Sequence, residues 1–233
     1  MRINRYLASC GLCSRRKAEE YIRDGKVKVN GVLTTNLATE IDENDEVLVN
    51  DMPVKLQNKF EYYMLNKPQG YVSTAEDDRD RKTVVELVKT KSRIYPVGRL
   101  DFDSEGLLLL TNDGDLTNKL THPKHNISKT YLVNINSTIT NNEIEKLKNG
   151  VVIDGYKLHE CEIKVLETSE KQTKMKITIF EGRNREIRKM FENINKRVVF
   201  LKRIKIADLE LGNLKRGEYR ALTQKEISYL KNL

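Results

Sequence analysis

The chain has 233 residues, of which 38% are hydrophobic and 33% charged, proportions typical of a folded globular protein rather than a disordered one. No apolar run approaches the ~18 residues that a membrane-spanning helix needs, and residues 1–11 lack the apolar core of a secretory signal. We therefore expect a cytoplasmic protein with no membrane partner. The formal net charge of +8 raises the question of an anionic partner.

The first part of the chain predicts a small module of two helices and a few short strands. Apolar residues recur at helical spacing over residues 3–10 and predict a short amphipathic helix. Ser14 suits the N-cap of a second helix, and Gly25 suits its end. Residues 26–31 alternate as a strand and run into an Asn-Gly pair, which is a strong signal for a hairpin turn.

A polar stretch at residues 55–59 predicts a linker, and a mixture of strands and helices follows it. Alternating or apolar runs predict strands at residues 61–66, 107–111, 129–135, 173–180 and 197–204. Amphipathic runs predict helices at residues 83–89, 115–120, 142–148 and 184–194. Because the two kinds of element do not alternate regularly, we expect an α+β fold with two domains. Residues 1–58 would form the small domain, and residues 59–233 a mixed, largely antiparallel sheet flanked by helices.

Basic residues are concentrated in two segments of the chain. Residues 1–31 contain eight Lys or Arg against three Asp or Glu, and residues 181–205 contain nine against three. The intervening residues 32–58 contain one against six. Two separate basic clusters favour a nucleic-acid-binding surface over an evenly solvated distribution of charge.

Sequence motifs for common cofactors are absent. The chain has no phosphate-binding Gly-x-x-x-x-Gly-Lys, no dinucleotide-binding Gly-x-Gly-x-x-Gly after a strand and no zinc-binding His-Glu-x-x-His. Cys10 and Cys13 have the spacing of half a zinc site, but the three histidines do not clearly supply a second pair, and we interpret the cysteines as packing residues. Three histidines also leave little scope for a Ser-His-Asp arrangement, so any catalysis would depend on carboxylate, Tyr, Lys or Arg side chains.

Four acidic residues lie close to one apolar strand, in a position where a loop can hold a polar group at a cleft. They are Asp101, Asp103, Glu105 and Asp113. Spacing alone does not select one of them. Asp113 precedes Gly114 and fits a turn, while a metal site at Asp101 and Asp103 would need ligands that the neighbouring sequence does not supply.

The second basic cluster contains a helical pattern at residues 184–194. Apolar residues line one face of this helix, with Arg188 at the edge of the stripe, where it could bury its stem and reach a carboxylate. Arg185 and Lys189 are predicted to point away from that face and could contact phosphates. An ordinary solvated basic helix remains an equal alternative at this point.

Taken in order, several motifs resemble those of the RsuA/RluB family of ribosomal RNA pseudouridine synthases, over nearly the whole chain. The N-terminal segment is similar to the RNA-binding module first described in ribosomal protein S-four. The motifs are Ser14-Arg-Arg-Lys-Ala-Glu-Glu, Gly25-Lys-Val-Lys-Val-Asn-Gly31, Asn66-Lys-Pro-Gln-Gly70, Gly98-Arg-Leu-Asp101, Lys129-Thr-Tyr-Leu-Val133, Glu181-Gly-Arg-Asn-Arg-Glu-Ile-Arg188 and Gly217-Glu-Tyr-Arg-Ala-Leu-Thr.

The resemblance implies conversion of a chosen uridine to its C-glycoside isomer, without cofactor or metal. It implies that Asp101 is the essential carboxylate, that Arg188 is its cationic partner and that Tyr131 is the active-site tyrosine. The residues assigned to substrate binding are Arg99, Lys129, Arg185 and Ile187, with Ile187 packing against the base. The residues assigned to RNA contact in the first domain are Arg15, Arg16, Lys17, Arg23 and Lys28.

The resemblance leaves the target RNA open. The form of residues 184–188 resembles the large-subunit branch of the family and favours that target, whereas residues 64–70 and 129–133 also resemble the small-subunit branch. A non-catalytic RNA-binding or ribosome-assembly factor is the alternative function. The expected partner is ribosomal RNA or a ribosome-assembly intermediate, and we expect a monomer.

Overall fold

The structure is a computed structural model that describes residues 1–57 and 59–233. The chain divides into two compact units. The first comprises Met1–Glu61, Thr90–Ile94 and Asn112–Gly114, and the second comprises Tyr62–Lys89, Tyr95–Thr111 and Asp115–Leu233. No helix within the described residues is long and apolar enough to cross a membrane.

The first unit packs two helices on a small antiparallel sheet. Its elements are α1 (Ile3–Ser9), α2 (Arg15–Arg23), β1 (Val27–Val29), β2 (Val32–Leu33), β3 (Val47–Val49) and β4 (Met52–Pro53), with strand order β2-β1-β3-β4. Ser14 caps α2 as predicted, because its side chain accepts a hydrogen bond of 3.2 Å from the backbone N–H of Lys17. The apolar faces of both helices close over the sheet through buried Leu7, Ile22 and Val47.

The predicted Asn-Gly hairpin turn is confirmed. Asn30 and Gly31 join β1 to β2 with φ values of 51° and 79°, the left-handed pair that a two-residue turn with the twist of a hairpin requires. The side chain of Asn30 donates a hydrogen bond of 2.7 Å to Asp45, which ties the turn to the loop before β3.

The second unit is built on a mixed sheet. Within the described residues its strands are β5 (Tyr62–Lys67), β6 (Tyr95–Pro96), β7 (Glu105–Thr111), β8 (Lys129–Ile135), β11 (Glu162–Thr168), β12 (Thr173–Ile179), β13 (Val198–Ile206), β14 (Leu209–Glu210) and β15 (Tyr219–Ala221). The main order is β11-β12-β8-β13-β7-β5-β15, and among the described strand pairings of this sheet only β13 with β7 is parallel. The expected α+β fold with a largely antiparallel sheet is confirmed.

Helices and a hairpin complete this part of the chain. They are α3 (Gly114–Thr121), α4 (Asn141–Lys148), the hairpin of β9 (Val152–Ile153) and β10 (Tyr156–Lys157), α5 (Glu186–Glu192) and α6 (Gln224–Asn232). The residues of one large core cluster come from strands β5, β7 and β13 and from helices α3 and α6, among other segments.

Strand β7 lies at the centre of the sheet and is buried along its whole length. Its second residue, Gly106, has a φ of 108°, and a Cβ at that position would lie 2.2 Å from the carbonyl oxygen of Arg203. Only glycine permits β7 and β13 to approach so closely here. Asp101 lies on the loop that leads into this close-packed point of the sheet.

Several predicted element bounds were wrong. The helix predicted at residues 83–89 is a single 3₁₀ turn, Val84–Leu87. Two β-branched residues, Val84 and Val85, lie inside its capping box, and the chain returns to extended backbone at Val88. The helix predicted at 184–194 extends only from Glu186 to Glu192. Strand β11 was missed because six of its seven residues are exposed at a sheet edge and three of the seven are charged. Helix α6 was missed although Thr223 and Glu226 form a capping box at its start.

Candidate active site

A cavity of about 290 Å³ opens in the second unit beside the loop that carries Asp101. Six of the seven residues that the sequence assigned to catalysis or substrate binding line it: Arg99, Asp101, Lys129, Tyr131, Arg185 and Ile187. The seventh, Arg188, lies outside the lining of this cavity and contacts the Asp101 loop. The tertiary structure therefore brings together residues that lie as many as 89 positions apart (99 to 188) in the sequence.

Hydrogen bonds hold the backbone around Asp101 at several points. The hydroxyl of Ser73 donates to the carbonyl of Leu100 at 2.8 Å. The backbone N–H of Ser104 donates to the carbonyl of Asp101 at 3.1 Å, and that of Gly70 donates to the carbonyl of Phe102 at 2.9 Å. The carboxylate of Asp101 is thus presented from a fixed backbone, which is the arrangement that an active-site acid needs.

Lys67 is the main residue that the sequence reasoning missed. Its side chain is fully buried at the end of β5, and its ammonium group donates to the carbonyls of Asp101 at 2.9 Å and Ser104 at 2.8 Å. Burial lowers the pKa of Lys67 from 10.5 to about 8, against the attraction of nearby acids such as Asp101. Lys67 belongs to the motif at residues 66–70 that supported the family resemblance, but nothing in the spacing of that motif indicated that the lysine side chain is buried.

Arg188 is buried in α5 and bridges several parts of the site. Its guanidinium donates to the carbonyl of Val198 at 3.2 Å and to the hydroxyl of Ser104 at 3.3 Å. The nearest carboxylate is that of Asp103, at 3.1 Å, while Oδ2 of Asp101 lies 3.8 Å from Nε. The guanidinium therefore lies within 4 Å of the Asp101 carboxylate without a direct hydrogen bond to it, and it contacts Asp103 more closely.

Arg185 lines the cavity, but it does not lie within the helix on which its predicted direction was based. It precedes α5 in a left-handed conformation with a φ of 53°, and the angular spacing of a regular helix therefore does not apply to it. Its Nη1 atom lies 3.9 Å from the carboxylate of Asp101 and 3.7 Å from that of Asp103. Lys189 does lie away from Asp101, in an ion pair with Asp154.

Tyr131 lies on β8, between Ile177 of β12 and Arg203 of β13, and is 7% exposed. It lines the cavity, and its hydroxyl has no hydrogen-bond partner among the described residues. The hydroxyl is therefore available to a bound molecule. Ile187, 3% exposed, adds an apolar surface to the same cavity that could pack against a planar base.

Two further cations lie at the buried side of the cavity. Lys129 donates to the carbonyls of Ile127 at 2.9 Å and Glu181 at 2.8 Å. Burial, with a smaller effect of the nearby Arg203 cation, lowers the pKa of Lys129 to about 8. Arg203 donates to the carbonyl of Leu107 at 2.7 Å, and its Nη2 is buried without a hydrogen-bond partner among the described residues. The sequence reasoning did not identify Arg203, because its position follows from the pairing of β13 with β7.

The first unit carries the five basic residues that the sequence assigned to RNA contact. Arg15, Arg16, Lys17 and Arg23 of α2 are exposed, and Lys28 is partly buried on β1. Three of the five have acidic partners: Lys17 pairs with Glu20 at 2.6 Å, Arg23 with Glu19 at 3.9 Å and Lys28 with Asp51 at 2.7 Å. Arg15 and Arg16 have no ion-pair partner in the described part of the chain.

No group of three or more metal-binding side chains occurs among residues 1–57 and 59–233. Asp101 and Asp103, the pair for which a metal site was considered, both face the guanidinium groups of Arg185 and Arg188.

Comparison with known proteins identifies the family. Residues 61–193 match the family model described as RNA pseudouridylate synthase, and residues 1–47 match the S4 domain. The chain belongs to the RNA pseudouridylate synthase family. The resemblance drawn from the ordered motifs is therefore confirmed, and the protein is an enzyme of this family that carries an N-terminal S4 domain.

Similar synthases match the chain over most of its length. The ribosomal large subunit pseudouridine synthase B of Bacillus subtilis is 43% identical to this chain, and the match covers 100% of this chain and 96% of the relative. The dual-specificity RNA pseudouridine synthase RluF of Escherichia coli is 37% identical, and the match covers 97% of this chain and 77% of the relative. A crystal structure of a pseudouridylate synthase superposes with a TM-score of 0.73 at 32% identity and covers 99% of both chains.

Proposed function

We propose that this synthase converts a specific uridine of ribosomal RNA to pseudouridine, and that the target lies in the large subunit. The observation that carries the proposal is the position of Asp101, a carboxylate at the wall of a cavity with two guanidinium groups within 4 Å. The choice of the large subunit is supported by the 43% identical relative from Bacillus subtilis, which is named for that subunit. The sequence Asn184-Arg-Glu-Ile-Arg188 also supports it.

The reaction breaks the bond between N1 of uracil and C1′ of the ribose and forms a bond between C5 and C1′. The proton on C5 is lost and N1 gains a proton, so the isomerisation needs no cofactor. In our proposal Asp101 acts at the reacting nucleotide, either as a nucleophile or by stabilising positive charge on the sugar. The guanidinium groups of Arg188 and Arg185, each within 4 Å of this carboxylate, would orient it.

The other residues of the cavity suit a single flipped nucleotide. A volume of about 290 Å³ is close to the lower end of the ~300–1,000 Å³ of typical small-molecule sites. Ile187 would pack against the base, the hydroxyl of Tyr131 is in position to contact it, and the exposed Arg99 would reach the RNA around it. Lys129, held by two backbone carbonyls, would contribute positive charge at the buried side.

We further propose that the chain has two domains with different roles. Residues 1–58 would bind RNA, and residues 59–233 would carry out catalysis. Taking a base out of folded RNA costs a few kcal/mol. Contacts of Arg15, Arg16, Lys17, Arg23 and Lys28 with phosphates would offset that cost. The substrate would be ribosomal RNA, free or in a ribosome-assembly intermediate, modified in the cytoplasm by a monomeric enzyme.

The decisive experiment has two parts. Purified protein should release tritium from ribosomal RNA labelled at carbon 5 of uridine, because that position loses its hydrogen when the new bond forms. Pseudouridines should then be mapped in ribosomal RNA from a strain that lacks the gene and from the complemented strain. Loss of one large-subunit site supports the proposal, loss of a small-subunit site would redirect it, and no loss together with no tritium release would refute it.

A further inference from the structure

A second concave site shares Arg185 with the cavity that Asp101 lines. Its volume is about 310 Å³, and its lining includes Gln69, Asp103, Arg185, Arg188, Glu192 and Arg197. Neither the family resemblance nor the site described above assigns Gln69 or Arg197 a role. Arg185 lines both cavities, so the two sites are neighbours.

The guanidinium groups of this second site differ in how well they are paired. Arg185 and Arg188 face Asp103 at 3.7 Å and 3.1 Å. Arg197 is exposed, and its guanidinium has no hydrogen-bond or ion-pair partner among the described residues. The lining holds three arginines against two carboxylates, those of Asp103 and Glu192, so its formal charge is +1, and Arg197 has hydrogen-bond donors still free.

The backbone that carries Arg197 is fixed. The carbonyl of Val198 accepts a hydrogen bond of 3.2 Å from Arg188, and the carbonyl of Arg197 itself accepts one of 3.3 Å from the backbone N–H of Asn136. Arg197 directly precedes β13, which is a central strand of the sheet. The Arg197 side chain therefore extends into the site from backbone that is hydrogen-bonded on both sides of its Cα.

From these observations we propose that the second cavity binds the RNA phosphate next to the target nucleotide, with Arg197 as its main ligand. This inference rests on the proposed function. A nucleotide held at Asp101 would lie beside Arg185. Because Arg185 also lines the second cavity, an RNA strand that leaves the first cavity past Arg185 would bring its next phosphate to the second one. A phosphodiester offers only acceptor oxygens, which match a guanidinium fork and the amide N–H groups of Gln69.

The contact would position the substrate and would not take part in the chemistry. Binding energy from a group that does not react can hold the reacting bond in place at Asp101. Removing the contact should therefore raise KM for structured RNA. A single lost phosphate contact also makes the salt dependence of binding shallower, by about 0.7–0.9 in the slope of log K against log salt concentration.

The test uses the full-length enzyme with Arg197→Ala, Arg197→Lys and the matched control Lys225→Ala, which removes an exposed positive charge from α6. Initial rates and RNA affinity are measured at several potassium chloride concentrations. We expect Arg197→Ala to raise KM roughly tenfold and to flatten the salt slope by about 1, Arg197→Lys to recover part of the loss, and Lys225→Ala to match the wild type. Equal values for Arg197→Ala and Lys225→Ala would overturn the inference.

A second arm identifies the phosphate. A synthetic RNA with one neutral methylphosphonate is prepared for each of the two phosphates that flank the target uridine. If Arg197 binds one of them, neutralising that phosphate should weaken the wild type and should have no further effect on Arg197→Ala. Additive losses at both positions would overturn the inference. Failure of the proposed function would look different, because the wild type would then release no tritium from any of these RNAs.

Discussion

The ammonium group of Lys67 donates a hydrogen bond of 2.9 Å to the main-chain carbonyl of Asp101. The same group also bonds to the carbonyl of Ser104, so one buried cation fixes the loop on both sides of the carboxylate. Lys67 has no exposed surface, and the interaction is therefore shielded from water. The position of Asp101 thus depends on a side chain that the substrate need not touch.

We predict that Lys67→Met weakens both the fold and the activity. The carbonyls of Pro68, Asp101 and Ser104 would lose a donor, which we expect to lower the free energy of unfolding by roughly 1–3 kcal/mol even after the gain from removing a buried charge. Activity should fall further than stability explains, because the loop would loosen. Urea denaturation and tritium release measure the two effects, and Lys176→Met, at an exposed position of β12, is the control.

The lowered pKa of Lys67 also predicts a pH dependence of stability. In the folded protein this pKa is about 8, whereas an unfolded chain has a lysine pKa of about 10.4. Between these values the unfolded state binds more protons, so deprotonation by rising pH favours the folded state. Relative to Lys67→Met, the wild type should gain stability from pH 8 to 10, by up to about 1.4 kcal/mol per pH unit. A difference that stays flat, or falls, over this range would contradict the assignment.

Asp101→Asn should abolish isomerisation while RNA binding is kept. The substitution preserves shape but removes the charge, and we expect a loss of roughly a thousandfold or more in the rate of tritium release. Asp103→Asn is the matched comparison, because Asp103 faces the same two arginines but does not line the first cavity. Its expected loss is under about tenfold. If the two variants lost activity equally, the separate role of Asp101 would be refuted.

The close approach of β7 and β13 predicts that Gly106→Ala destabilises the protein severely. The new Cβ would lie 2.2 Å from the carbonyl oxygen of Arg203, and a clash with a backbone atom cannot be relieved by a side-chain rotation. We expect a loss of about 3 kcal/mol or more. Gly155→Ala is the control, since Gly155 also has a positive φ, 77°, but has open space around it. Its expected cost is about 1–2 kcal/mol, which thermal unfolding would distinguish.

The RNA contacts proposed for the first unit can be tested by measuring RNA affinity at several salt concentrations. Arg15 and Arg16 are exposed and have no ion-pair partner in the described part of the chain, so replacing both by Ala should lower affinity and reduce the salt slope by about 2. Lys26 and Lys28 are paired with Asp24 and Asp51. Replacing that pair by Ala removes the same number of charges, but it should cost less because an acidic neighbour already neutralises each one. A larger loss from the lysine pair would contradict this ranking.

The sequence by itself determined the elements whose signals are local. Ser14 and the Asn30-Gly31 turn could be predicted because capping and turn chemistry act within a few residues. The strand at residues 129–135 could be predicted because its alternation reflects burial on one face of a sheet. The ordered motifs went further and indicated Asp101, Tyr131 and Arg188, but they did so through resemblance, since spacing did not separate Asp101 from its acidic neighbours.

Tertiary structure alone decided the roles that depend on distant parts of the chain. In the sequence Lys67 is an ordinary strand residue. In the structure β5 pairs with β7, and the ammonium group of Lys67 is buried and hydrogen-bonded to the Asp101 loop. Arg185 was predicted to point outward from helical geometry, yet a left-handed turn before α5 directs it to Asp101. Arg203 reaches the cavity because β13 lies parallel to β7. Each of these contacts joins segments far apart in sequence, and no local pattern of polarity records such a contact.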